Sequence, residues 1–123
     1  MIDRGYNMDY GEIRKKLGEI CRSYNDILGL VILFGSFSRE EATEVSDIDL
    51  YVEPKDIRMT TTKLWHNRRY KEFQYKLYDN FSQEFDILAY GGKRDISVMK
   101  NTALWQQIKK DGVTIYDQRA EIV

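Results

Sequence analysis

The stretch Gly35-Ser36-Phe37-Ser38-Arg39-Glu40-Glu41-Ala42-Thr43-Glu44-Val45-Ser46-Asp47-Ile48-Asp49 decides how this chain is read. It links a glycine–serine turn to two aspartates separated by a single residue. Ahead of it runs Leu28-Gly29-Leu30-Val31-Ile32-Leu33-Phe34, apolar and partly β-branched, with the length and the glycine stop of a buried strand. Behind it, Asp47-Ile48-Asp49-Leu50-Tyr51-Val52-Glu53 reads as a second strand. Alternation puts Asp47, Asp49 and Tyr51 on one face and Ile48, Leu50 and Val52 on the other, toward the core. Two carboxylates about 5 Å apart repel by roughly 3 kcal/mol at an effective dielectric of about 20. A divalent cation with oxygen ligands, such as magnesium, offsets that repulsion.

Only about a dozen residues separate Phe34 from Asp47. A parallel crossover needs at least about that many, usually with a full helix, so the spacing predicts an antiparallel pair. One or two helical turns over Ser38–Glu44 would bridge it, with Ser38 and Glu41 as a capping box. Backbone N–H groups at such a helix start favour an anion. Gly35 would let phosphate oxygens approach the main chain, and Ser36 would donate its hydroxyl. Gly-Ser pairs and Asp-x-Asp starts are each ordinary structural features. Their conjunction after a buried strand points to a metal-bound nucleoside triphosphate.

The rest of the chain alternates helices and strands, without repeats or low-complexity tracts, and is expected to form one α/β (α+β) domain over 1–123. Asp9–Asn25 reads as a helix with Asp9 and Glu12 as a cap pair and Ile13, Leu17, Ile20 and Tyr24 on one face. Pro54 ends the aspartate strand. Thr60–Asn80 reads as one longer helix, with Leu64, Phe73 and Leu77 among its apolar positions, and Asp56–Asn80 is long enough for a crossover. A strand follows over Glu84–Tyr90, stopped by Gly91-Gly92. Thr102–Lys110 reads as a helix closed by Gly112, and Val113–Tyr116 as a last short strand.

Composition narrows the function classes. Nineteen Lys and Arg nearly cancel twenty Asp and Glu, so no overall basic field argues for direct nucleic-acid binding. The single cysteine, Cys21, excludes an internal disulfide framework and fits a reducing compartment. No signal peptide or membrane-length apolar run is evident, which predicts a cytoplasmic protein without a membrane partner. His66 is the only histidine, and no thiol or second histidine stands at zinc-ligand spacing. The basic, aromatic segment Lys63–Lys76 reads as an amphipathic helix with a solvated face. Trp65 and Trp105 read as core or interface residues.

The segment Leu33–Leu50 resembles the signature of the DNA polymerase β-like nucleotidyltransferase superfamily, a glycine–serine followed ten residues later by Asp-x-Asp. The chain is most similar to the superfamily's small stand-alone branch, the minimal nucleotidyltransferases (MNT), antitoxin partners of HEPN-domain ribonucleases. The stretch Leu104–Asp117, with Ile108, Gly112 and Tyr116, resembles the MNT ending. The resemblance implies a small mixed sheet flanked by helices. It implies a third carboxylate on a later strand, matched here by Asp86, with Glu84 on the same face as the alternative. It also implies that Asp47, Asp49 and Asp86 hold two Mg2+ ions, and that Gly35, Ser36 and Arg39 bind ATP as substrate. Relatives often carry glycine or another small residue after the matched arginine. Here Glu40 and Glu41 follow Arg39, and either would repel a triphosphate if it pointed at it.

By the same resemblance, AMP passes from ATP to a tyrosine hydroxyl of a HEPN toxin and silences it. Antibiotic-modifying relatives carry an added helical domain that completes the acceptor pocket. Here the missing wall is expected from a second copy or from another protein. Two other readings stay open at this level: a small-molecule acceptor such as an aminoglycoside, and a non-catalytic module that inhibits a toxin by contact alone. The residues do not choose the nucleotide base.

Overall fold

The computed structural model describes residues 9–119, so the ends of the expected 1–123 domain lie outside it. Four strands, β1 (Leu28–Phe34), β2 (Ile48–Pro54), β3 (Phe85–Ala89) and β4 (Val113–Asp117), form one mixed sheet in the order β3-β2-β1-β4. β1 runs antiparallel to β2 and β4, as the short Phe34–Asp47 connection requires, and β2 runs parallel to β3. Among the described residues five helices flank the sheet: α1 (Tyr10–Ser23), α2 (Thr61–Trp65), α3 (Arg68–Asn80), α4 (Lys93–Lys100) and α5 (Ala103–Asp111). Among the described residues no helix is long and apolar enough to cross a membrane.

Alternation along each strand sends side chains into two separate cores. Val31, Leu33, Ile48, Leu50 and Val52 meet Leu17, Phe73 and Leu77 of α1 and α3 on one face. On the other face Leu30 and Tyr51 pack with Met99 of α4 and Ile108 of α5. A sheet covered on both sides explains why β1 is apolar throughout rather than alternating. The main polar group buried under the second face is Glu53. It accepts a 2.6 Å hydrogen bond from the Tyr51 hydroxyl and lies 3.4 Å from the Lys100 ammonium. Cys21 lies buried in α1, where burial pushes its thiol up to about 12, so at neutral pH it is an uncharged packing group.

α1 forms as expected: the Asp9 carboxylate accepts the Glu12 N–H at 3.0 Å, and Leu17, Ile20 and Tyr24 are buried. Three expectations need correction. The segment Thr60–Asn80 is two helices, because Asn67 adopts an extended backbone and its side chain accepts the Tyr70 N–H, capping a new helix. A strong N-cap residue inside a helical pattern competes with continuation.

The turns expected over Ser38–Glu44 begin three residues earlier, as a single 3-10 turn over Gly35–Phe37. Ser38 does not cap them; its hydroxyl donates to the Gly35 carbonyl at 2.7 Å. Glu40 then takes φ 58°, which a right-handed helix does not admit. α4 went unassigned from the sequence, since Gly91-Gly92 reads as a stop. Gly92 (φ 79°) in fact precedes the new helix, which buries Ile96 and Met99 at a three-residue spacing.

Gly112 does close α5, but with an extended backbone (φ −69°, ψ 147°) rather than a left-handed one. It is required by close approach, since a Cβ there would overlap the Ile108 carbonyl and the Ile32 side chain.

The split of the long helix has a direct check. Replacing Asn67 by Ala should remove the α3 cap and lower stability by about 1 kcal/mol in urea unfolding, with the m-value unchanged. An unaltered midpoint would mean that α2 and α3 do not depend on that cap.

Candidate active site

The glycine–serine turn is built from below. Phe37 is fully buried under it and meets the Tyr10 ring edge-on at 6.2 Å. The Tyr10 hydroxyl accepts the Ala42 N–H at 3.1 Å, tying the outgoing loop to α1. Arg14, one helical turn further along α1, donates to the Ser38 carbonyl at 3.5 Å and to the Glu40 carboxylate at 3.2 Å. At the far end of the loop, the Thr43 N–H donates to the Ser46 hydroxyl at 2.8 Å and fixes the approach to Asp47.

The carboxylates are set by strand register. Phe34 pairs with Asp49 across β1 and β2, so Gly35 lies beside the Asp49 side chain. A Cβ on Gly35 would overlap the Asp49 carboxylate, and φ 75° disfavours any other residue there. Across the parallel β2–β3 pair, Asp49 is the partner of Asp86. Residues paired in this way project to the same face. Asp47 precedes β2 and is exposed, while Asp49 is half-buried. Burial raises the Asp49 pKa to about 6, helped by the charges of Asp86 and then Asp47, against the opposing pull of Arg39. Tyr51, expected on the same face, is wholly buried beneath α4 and α5 and takes no part.

Arg39 is held on two sides. Its Nε donates to Glu41 at 3.0 Å, and its Nη1 lies 3.8 Å from Asp111. The two glutamates that followed Arg39 in the sequence are thus accounted for: Glu40 pairs with Arg14 and Glu41 with Arg39. Each is drawn toward a cation of this chain rather than left to oppose a bound anion. Asp111 escaped the sequence reading. The available signal was an acid in the last turn of α5, where the helix dipole disfavours negative charge. Arg39 and the Gln107 amide, which donates to Asp111, offset that misplacement.

The residues suit an anion and a hard cation in different degrees. Gly35 and Ser36 are only partly covered, and the missing Cβ lets the Asp49 carboxylate pack directly against the main chain of the turn. A three-residue 3-10 turn carries little dipole, so anion attraction there rests on local N–H groups and Arg39. Three carboxylates are the donor chemistry of magnesium. Among the described residues, however, no three His, Cys, Asp or Glu side chains converge closely enough to form a metal cluster. Asp86 and Asp47 raise the charge cost of Asp49 without closing into a cage, which suits a site that binds its cation together with phosphate oxygens.

Two measurements test this electrostatic picture. The folded pKa of Asp49 lies above its unfolded value, so its contribution favours the folded state below about pH 4 and is lost as pH rises through about 6. Asp49→Asn should therefore raise metal-free stability at pH 8 by about 1 kcal/mol, allowing for solvent screening, and flatten its decline between about pH 4 and 6. Glu40→Gly should exceed Glu40→Ala in stability by about 1 kcal/mol, because both lose the Arg14 pair and only alanine keeps the strained backbone. Equal stability of the two would remove the strain argument.

The sequence matches the family model described as polymerase beta, nucleotidyltransferase, over residues 15–121. No curated protein matches the chain. Among solved structures, a toxin–antitoxin complex with AMP-PNP is 23% identical, with 89% of this chain and 78% of that chain covered and a TM-score of 0.56. A mutant MntA–HpeT toxin–antitoxin complex is 21% identical over 89% of this chain and 78% of that chain, with a TM-score of 0.54. A tri-AMPylated Shewanella oneidensis HEPN toxin in complex with MNT antitoxin is 21% identical over 92% of this chain and 78% of that chain, with a TM-score of 0.52. At these identities the likeness is one of fold. The family model, which spans most of the chain and includes the turn and all three aspartates, supports a stronger statement: the chain belongs to the polymerase beta nucleotidyltransferase family.

Proposed function

We propose that this chain is an MNT-type adenylyltransferase. In this reading a single domain over 1–123 transfers AMP from ATP to a tyrosine hydroxyl of a HEPN-domain partner and so acts as its antitoxin in the cytoplasm. The observation that carries the reading is the register that sets Asp49 opposite Asp86 and against Gly35. It brings the carboxylates and the phosphate turn to one end of one sheet face. The solved complexes with AMP-PNP and with an AMPylated HEPN toxin support ATP and a protein acceptor over an aminoglycoside.

In this reading Gly35 and Ser36 bind the β and γ phosphates through main-chain N–H groups and the serine hydroxyl. Arg39 lends charge from the side, sharing itself with Glu41 and Asp111. Asp47, Asp49 and Asp86 hold two Mg2+ ions, which when bound spread the charge of the phosphates and of the leaving pyrophosphate. Asp86 accepts the proton of the attacking hydroxyl. The tyrosine oxygen forms its bond to the α-phosphorus as the bond to pyrophosphate breaks. Orientation and charge neutralisation supply the rate, and no covalent enzyme intermediate is needed.

Asp47→Asn should lower AMP transfer from labelled ATP to the HEPN partner by at least about a hundredfold, a loss of roughly 3 kcal/mol in transition-state stabilisation. Asp47 is exposed, so its far-UV spectrum and unfolding midpoint should stay unchanged. Undiminished transfer would overturn the catalytic assignment. Silencing of the partner by the transfer-dead variant would show that binding alone suffices.

A further inference from the structure

A groove of about 530 Å³ opens between α2 and α4, beyond the end of β3, and its lining is mainly apolar. Trp65 and Val98 line it together while 53% and 61% exposed. The Trp65 indole N–H donates to the Ala89 carbonyl at 2.9 Å. That bond satisfies the polar edge of the ring and fixes its orientation, leaving an apolar face in place without further ordering cost.

The groove is lined by one cation, Arg94, and one acid, Asp95, and positive charge prevails on the helices around it. Arg94 lines it, and Lys93 and Lys63 stand exposed on the same two helices. None of the three forms an ion pair among the described residues. The one acid in the lining, Asp95, is engaged by the Thr61 hydroxyl at 2.7 Å. A fixed tryptophan in the same groove as an arginine without an ion pair has the composition of an interface hot spot.

The groove lies on the sheet face that carries Asp86, beyond the opposite end of β3. Asp86, Leu88 and Tyr90 alternate onto one face of β3, an edge strand, and Tyr90 lines the groove. Asp86 and Tyr90 are four residues apart, about 13 Å along a strand. An occupant of the groove would leave the aspartates open and could present a neighbouring segment to them.

We propose that this groove is where the acceptor protein docks, and that its occupant is an amphipathic helix with apolar residues on one face and acidic residues flanking them. The proposal rests on the protein-acceptor reading and adds where, and by what chemistry, the partner is held. Apolar side chains at i and i+4 pack against Trp65 and Val98, and flanking carboxylates meet Arg94 and Lys93. Affinity then resides in the groove, and reaction at the aspartates.

The test uses the full chain and its HEPN partner. Hydrogen exchange of the complex should show protection at 61–65 and 93–102. Arg94→Glu and Val98→Glu, both at exposed positions, should weaken partner binding by tenfold or more in calorimetry, while affinity for a non-hydrolysable ATP analogue is unchanged. A wild-type chain that binds and modifies its partner while the groove stays unprotected, or variants with undiminished partner affinity, would overturn the groove alone. Tighter binding by Arg94→Glu would overturn the acidic occupant. A wild-type chain that forms no complex would overturn the partner reading, and the groove with it.

Discussion

The contact between the Asp49 carboxylate and the Cα of Gly35 constrains the rest of the structure. It exists only because Phe34 pairs with Asp49, and a slip of one residue would turn Ile48 and Leu50 out of the core. The same register that buries the apolar face of β2 therefore aims its aspartates at the turn. Pairing with β3 extends the constraint, since the position opposite Asp49 is Asp86. Packing and site geometry thus have one cause, and neither could drift without the other.

The electrostatics are less settled than the packing. Asp49 bears the cost of burial and of two neighbouring acids, and Arg39 is the cation that lowers it. Arg39 is itself shared with Glu41 and Asp111, so its charge is partly spent within the chain. Exposed pairs of this kind contribute about 0–1 kcal/mol each and can yield to a stronger anion. An incompletely neutralised end of the sheet is a stability cost that a bound cation and phosphates would remove. Sites that break local rules in this way are where function is expected.

Much of this was legible in the chain. The alternation in β2 assigned its faces, and the length of the linker required an antiparallel pair. The aspartates and the turn were identifiable because the chemistry of metal and phosphate demands those residue types at a fixed spacing. What failed had a shared origin in local competition. Asn67 within a helical pattern serves as a cap, Ser38 bonds backward to Gly35, and Gly92 opens a helix where glycine usually ends one. Each outcome depended on which of two similar hydrogen-bonding options the surrounding fold admitted.

The sequence by itself determined the four strands, the face carrying Asp47 and Asp49, and the family to which the chain belongs, because periodicity and motif spacing are properties of neighbours along the chain. Only the tertiary structure decided that Asp86 meets Asp49, that Asp111 reaches Arg39 from the end of α5, and that Glu40 pairs with Arg14. It alone left Trp65 half-exposed in the same groove as an arginine without an ion pair. These are contacts between residues far apart in sequence, set by strand order and helix packing, and no local pattern encodes which distant side chain will arrive.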